Sequence, residues 1–201
     1  MKKIIIEDLI AGILLKFGSC TRQDIELIIE QLKTKYIITY NDLDELKKYI
    51  KISKDKISLK NNLNNINLQH IVSDEIINIL ERIDWHKFIL KKIQKQDGID
   101  VNKVDSYFNS EQKRIIGSLV NHGYLAINCS QEFRNNNIRR LNLSENGNLY
   151  LFIEDNKEQI SKICENIDLN IVYDYLKSQN LTKPFEKKLL YTKIQNYKKA
   201  I

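Results

Sequence analysis

Six of the seven residues from 134 to 140 are arginine or asparagine: Arg134, Asn135, Asn136, Asn137, Arg139 and Arg140. Guanidinium forks suit phosphate oxygens and narrow minor grooves, and side-chain amides suit base edges. Upstream lies a second polar set, Gln112, Lys113, Arg114, Ser118 and Asn121, interleaved with Ile115, Ile116, Leu119 and Val120. At helical spacing the four apolar residues turn inward, which leaves the polar ones outside with Arg114 on a flank. A helix over 111–122 would fit the major groove of B-DNA, where Gln can pair bidentately with adenine and Lys or Arg with guanine. A wing over 128–143 would then lie on the backbone or in the minor groove. Strand alternation sets Arg139 opposite to Ile138 and Arg140, so Arg134 and Arg139 are the favoured phosphate ligands.

Both segments need elements to position them. Ile6 to Phe17 has helical apolar spacing, with Gly18 as a stop. Thr21, with Asp24 three residues on, reads as the cap of a second helix striped by Ile25, Ile28, Ile29 and Leu32. Asn41 caps a short third helix containing Leu43, Leu46 and Tyr49, and residues 50–60 alternate as a hairpin turned at Lys54-Asp55. Residues 61–70 have no period and read as a connector, and Ser73 to Ile83 restarts a helix. The same order then recurs: a helix from Trp85 to Gln94 ended by Asp97-Gly98, a short helix from Asn102 to Phe108, a third helix capped by Ser110 and stopped by Gly123, and a hairpin. Ser144 caps a further helix running to about residue 166, followed by amphipathic helices over Asp168 to Gln179 and Lys183 to Lys198, with Pro184 in the first turn of the last.

Helix, helix, helix, hairpin, twice over, predicts a mainly α fold with small β-hairpins: tandem winged helix-turn-helix units plus C-terminal helices. The expected divisions are an N-terminal winged-helix-like unit over 1–60, a connector and linking helix over 61–84, a second winged helix over 85–153, and a helical extension over 154–201. For the first unit, the alternative is a plain helical domain with an attached hairpin.

In the second unit three pieces stand in a telling order: Leu119 to Leu125, Arg134 to Arg140, and Leu143-Ser144-Glu145-Asn146-Gly147. This region resembles the wing of MarR-type and PadR-type transcriptional regulators. In those families a leucine-rich helix runs through Gly into a strand, a charged tip, and a Leu-Ser/Thr-Glu-x-Gly turn that opens the next helix. The resemblance is limited to this unit and implies a winged helix that binds double-stranded DNA. MarR proteins usually carry one such unit flanked by dimerising helices, whereas this chain has an N-terminal half with a unit of its own.

Charge supports the same division. Lys and Arg outnumber Asp and Glu by 10 to 6 over residues 85–153, against 13 to 13 over 1–84 and 9 to 7 over 154–201. The third helix of the first unit opens with Asp42, Asp44 and Glu45, which would repel phosphate, so this unit is expected to bind protein, and its hairpin lysines read as edge protection. Ile171, Tyr175, Leu176, Phe185, Leu189, Leu190, Ile194 and Tyr197 form the apolar stripes of the C-terminal helices. Packing onto the core or pairing with a second copy would both cover them. Homodimerisation is the expectation, since a symmetric dimer matches a palindromic site.

The three cysteines are far apart with no CxxC, so neither zinc nor any other metal or cofactor is expected. No phosphate loop, nucleophile elbow or zinc-helix motif occurs, so a non-enzyme is expected. No apolar run is long enough to span a bilayer, and the expectation is a cytoplasmic protein without membrane contact. The functional reading is thus a dimeric, sequence-specific transcriptional regulator. Its rivals are a plasmid or viral replication or segregation protein, and a tandem winged-helix interaction subunit that does not touch DNA.

Overall fold

The computed structural model describes residues 2–40, 47–54, 56–60, 72–131, 137–164, 168–178 and 187–200. The described residues are mainly helical with small sheets, and the chain divides into two compact units, Met1–Phe88 and Ile89–Ile201.

In the first unit, helix α1 (Ile6–Phe17) is apolar on nearly every side, and Leu9, Ile10, Ala11, Ile13 and Leu14 are all buried. Such a helix must be the centre of a core rather than its edge. Around it lie α2 (Arg22–Leu32), which buries Ile25, Leu27, Ile28 and Leu32, and α3 (Asp74–Glu81), which buries Ile76, Ile79 and Leu80. Thr21 caps α2 in a full capping box: its hydroxyl accepts from Asp24 N at 3.1 Å, and the Asp24 carboxylate accepts from Thr21 N at 2.8 Å. Asn41, Leu43 and Leu46 of the expected third helix lie outside the described residues, as do Asp42, Asp44 and Glu45 and the whole connector over 61–70.

Three short pairings complete this unit. Strand β1 (Lys2–Ile5) runs parallel to β3 (Tyr36–Thr39), a pairing the sequence pattern does not suggest. The hairpin of β4 (Ile50–Ser53) and β5 (Lys56–Leu59) forms where alternation predicts it. A short strand between the first two helices, β2 (Ser19–Thr21), adds to the far side of β5, giving the sheet order β2-β5-β4.

The sheet of the second unit has the same strand order as the three-stranded sheet of the first. Helix α4 (Trp85–Lys95) buries Ile89, Leu90 and Ile93, and is followed by β6 (Ile99–Asp100), a short 3-10 turn (Val101–Lys103) and α5 (Val104–Tyr107). After α6 (Ser110–Asn121) come β7 (Leu125–Gln131) and β8 (Asn137–Leu143), a longer antiparallel ribbon. Again the short early strand pairs with the second ribbon strand, in the order β6-β8-β7.

The expected helix from 144 to 166 is two helices, α7 (Glu145–Asp155) and α8 (Lys157–Ile163). The break is Asn156, whose side-chain amide donates to Phe152 O at 2.6 Å and whose side-chain oxygen accepts from Tyr191 Oη at 3.0 Å. An Asn side chain that bonds its own backbone competes with helix continuation. Helices α9 (Leu169–Ser178) and α10 (Lys187–Ala200) then close over α7 and α8 around Leu149, Phe152, Ile153, Ile160, Cys164, Val172, Leu176, Leu190 and Ile194.

Candidate nucleic-acid interface

Helix α6 is fixed from below by a lysine. Lys92 on α4 is 2% exposed; its ammonium donates to Tyr107 O at 2.9 Å and sits 5.0 Å over the Phe108 ring. A buried ammonium needs such partners, and here they hold the end of α5 and the turn that launches α6. The cap of α6 is Asn109, one residue before the expected Ser110. Its side chain accepts from Gln112 N at 2.8 Å, and the Gln112 side chain accepts from Asn109 N at 3.2 Å.

That capping box changes the expected reading set. Spacing alone sets Gln112 at a base edge, but it is 7% exposed and turned back onto the helix start. The same closure satisfies the backbone amides of Asn109 and Gln112 at the start of α6. Lys113 is half-buried and holds Asp105 at 2.7 Å; that carboxylate is exposed, so the pair is worth at most about 1 kcal/mol. Arg114 and Asn121 are exposed, and Arg114 makes no ion pair among the described residues. Ser118 is half-buried, and its carbonyl accepts from His122 Nδ1 at 2.8 Å.

Two exposed residues on this helix are missed by sequence reasoning. Glu111 puts an acid in the first turn, so this helix start is not acid-free. Gly117 is exposed, and a Cβ added there would meet nothing within 4 Å. The outward stripe is therefore Glu111, Arg114, Gly117 with Ser118, and Asn121, at alternating spacings of about three and four residues. Ile116 and Leu119 are buried beneath it, with Ile115 and Val120 half-buried.

On the ribbon, Cys129 stands opposite Arg139, and Asn128 opposite Arg140. Arg139 is exposed; by alternation it shares a face with Leu141 and Leu143, which are buried at the ribbon's root. Arg140 is half-buried on the other face, between Asn128 on one neighbouring strand and Asp100 on the other. Arg134, Asn135 and Asn136 lie outside the described residues; Asn137 opens β8, but its side chain lies outside them too.

The root of the ribbon is locked by the Leu143 to Gly147 turn. Gly123, at φ 74, ends α6; its carbonyl accepts a short hydrogen bond from the Ser144 hydroxyl, which also caps α7 by accepting from Gly147 N at 3.1 Å. Gly147 is required here, because a Cβ would sit 2.1 Å from the carbonyl oxygen of Tyr124. Tyr124 meets Tyr150 edge-on at 5.5 Å. Burial, together with the Tyr124 phenol beside it, pushes the Tyr173 phenol far above its ordinary value.

The C-terminal stripes are used differently from expectation. Leu176, Leu190 and Ile194 are buried in the unit's own core, Tyr175 stacks on Tyr197 at 4.3 Å, and Ile171 is 49% exposed. Leu176, Leu190 and Ile194 are therefore covered within the unit itself. Phe185 lies outside the described residues, and so does the side chain of Leu189. Among the described residues no group of His, Cys, Asp or Glu is placed to hold a metal ion, and no helix is long and apolar enough to cross a membrane. Cys20 and Cys164 are buried and Cys129 is exposed.

No family model, curated protein or solved structure matches this chain.

Proposed function

We propose that the chain is a sequence-specific double-stranded DNA-binding protein built from tandem winged-helix units, acting as a transcriptional regulator through its second unit. One observation carries the reading. Helix α6, seated on Lys92 and the Asn109–Gln112 box, turns a stripe with Arg114 and Asn121 outward, beside a three-stranded ribbon that exposes Arg139. That pairing of an outward polar helix with a sheet of order β6-β8-β7 is what a major-groove reader with a wing requires.

In this reading Arg114 and Asn121 meet base edges, with Lys113 released from Asp105 on binding. Gln112 acts indirectly, as the clasp of the helix start. Arg139 meets phosphate. A homodimer would suit a palindromic site, and among the described residues of the C-terminal stripes Ile171 is exposed for such a contact.

The test is selection of bound duplexes from a random pool, with mass measurement of the complex. Enrichment of a defined site is expected. Arg114→Ala with Asn121→Ala should then lower discrimination against altered sites by roughly 1–3 kcal/mol for each base no longer read. Recovery of unselected sequence only, from a chain that still binds, would defeat the sequence-specific reading.

A further inference from the structure

Charge on this molecule is most concentrated in the unit where acids and bases balance overall. Residues 47–60 contain six lysines and one aspartate, while the rest of 1–84 holds seven basic and twelve acidic residues. Lys60 is committed: its ammonium donates to the carbonyls of Lys47 and Lys48 at 2.9 and 3.1 Å, closing the hairpin base. Lys51, Lys54 and Lys56 are exposed and make no ion pair among the described residues.

The register sorts this sheet into two chemically pure faces. Ile52 pairs with Ile57 and Ile57 with Cys20; Ile50 pairs with Leu59. That face is apolar. On the other, Lys51 pairs with Ser58 and Ser58 with Ser19, while Ser53 pairs with Lys56 and Lys56 with Thr21. The outer face of three strands is thus two lysines and four hydroxyl residues, with no carboxylate and no large apolar side chain.

Edge protection does not account for it. Only β4 is a lysine-bearing edge; Lys56 stands on β5, the central strand, which is paired on both sides. The exposed Ile52 on the edge strand also runs against a protective design.

We propose that this outer face, through Lys51 and Lys56 with Ser53 and Ser58, is a second phosphate-binding surface that grips the backbone of duplex DNA without reading sequence. Ammonium and hydroxyl donors are the groups that bind phosphate and fix position on a duplex. A single strand would need aromatic stacking platforms, and this face has none. A lipid surface would need apolar side chains inserted alongside the charges, and here the apolar residues point the opposite way. The inference does not depend on the reading of α6.

The experiment is a salt titration of the full-length chain on a short random-sequence DNA duplex. Each phosphate that the protein ceases to neutralise lowers the slope of log K against log salt by about 0.9. Lys51→Ala with Lys56→Ala should lower it by nearly 2, with equal weakening on every sequence and an unchanged circular dichroism spectrum. Lys198→Ala with Lys199→Ala, the same charge removed elsewhere, should leave the slope as it was. An unchanged slope in the first variant overturns the proposal, as does an equal drop in the second, which would mean net charge alone. Binding of the wild-type chain to phosphatidylserine vesicles but to no duplex also overturns it. If Arg139→Ala and Arg114→Ala change nothing while the hairpin variant binds more weakly, this surface stands and the reading of α6 falls.

Discussion

A glycine inside a helix costs about 1 kcal/mol relative to alanine, and Gly117 takes that cost in the middle of α6, with nothing in its own unit occupying the space a side chain would fill. Gly117→Ala should therefore raise stability by up to about 1 kcal/mol in urea unfolding. Gly117→Leu should fold as well but weaken duplex binding by tenfold or more, about 1.4 kcal/mol, because the bulk stands between Arg114 and Asn121 where a groove would approach. Full binding by Gly117→Leu would show that this side of the helix stays in solvent. The periodicity of α6 is legible from its isoleucines and leucines, but the roles of single polar residues are not. Asn109 and Ser110 are both good caps, and only the geometry decides that Gln112 closes on Asn109. A Gln at the third helical position can face a partner or clasp the cap, and sequence spacing is the same for both. Lys92 is invisible for a related reason: a lysine reads as surface until its carbonyl and ring partners, more than a dozen residues on, are in place.

Elements are readable where their signals are local. Gly18 and Thr21-Asp24 mark the end of α1 and the start of α2, and both act as their chemistry suggests. The β1–β3 pair is not readable, because it joins strands more than thirty residues apart and neither alternates strongly. The Leu143 to Gly147 turn joins the ribbon to α7 through the Ser144 hydroxyl and a glycine whose place admits no side chain. Gly147→Ala would drive a methyl group into a backbone oxygen that cannot swing aside, so a destabilisation of about 1–3 kcal/mol is expected by urea unfolding. Beside that joint, Tyr173 gives α9 a pH signature. Its folded pKa is raised, foremost by burial, so the folded state holds the phenol proton more tightly than the unfolded chain. The stabilisation is complete below the unfolded value of about 10 and is lost as pH rises above it towards the folded value. Tyr173→Phe should flatten the alkaline fall in the urea midpoint between about pH 9 and 11. An identical fall in both proteins would place the titrating group elsewhere.

Across the whole molecule, the net charge of +6 hides more than it tells. Summing by segment marks residues 85–153 as basic and 1–84 as neutral, yet the sheet register places Lys51 and Lys56 together on one hydroxyl-rich face. A charge total carries no information about faces; a period of two along paired strands does. The cysteines give a check on the fold at the same scale. With Cys20 and Cys164 buried and Cys129 exposed, one thiol should react with a maleimide in the native protein and all three in denaturant, counted by mass. Rapid native labelling at all three would contradict the packing of both cores. That single accessible sulfur lies directly across the ladder from Arg139, on a different unit from the Lys51–Lys56 face. A fluorophore attached there would be a neighbour of the proposed Arg139 surface. Without any engineered substitution, the chain thus carries its own optical means of reporting whether a duplex touches the ribbon.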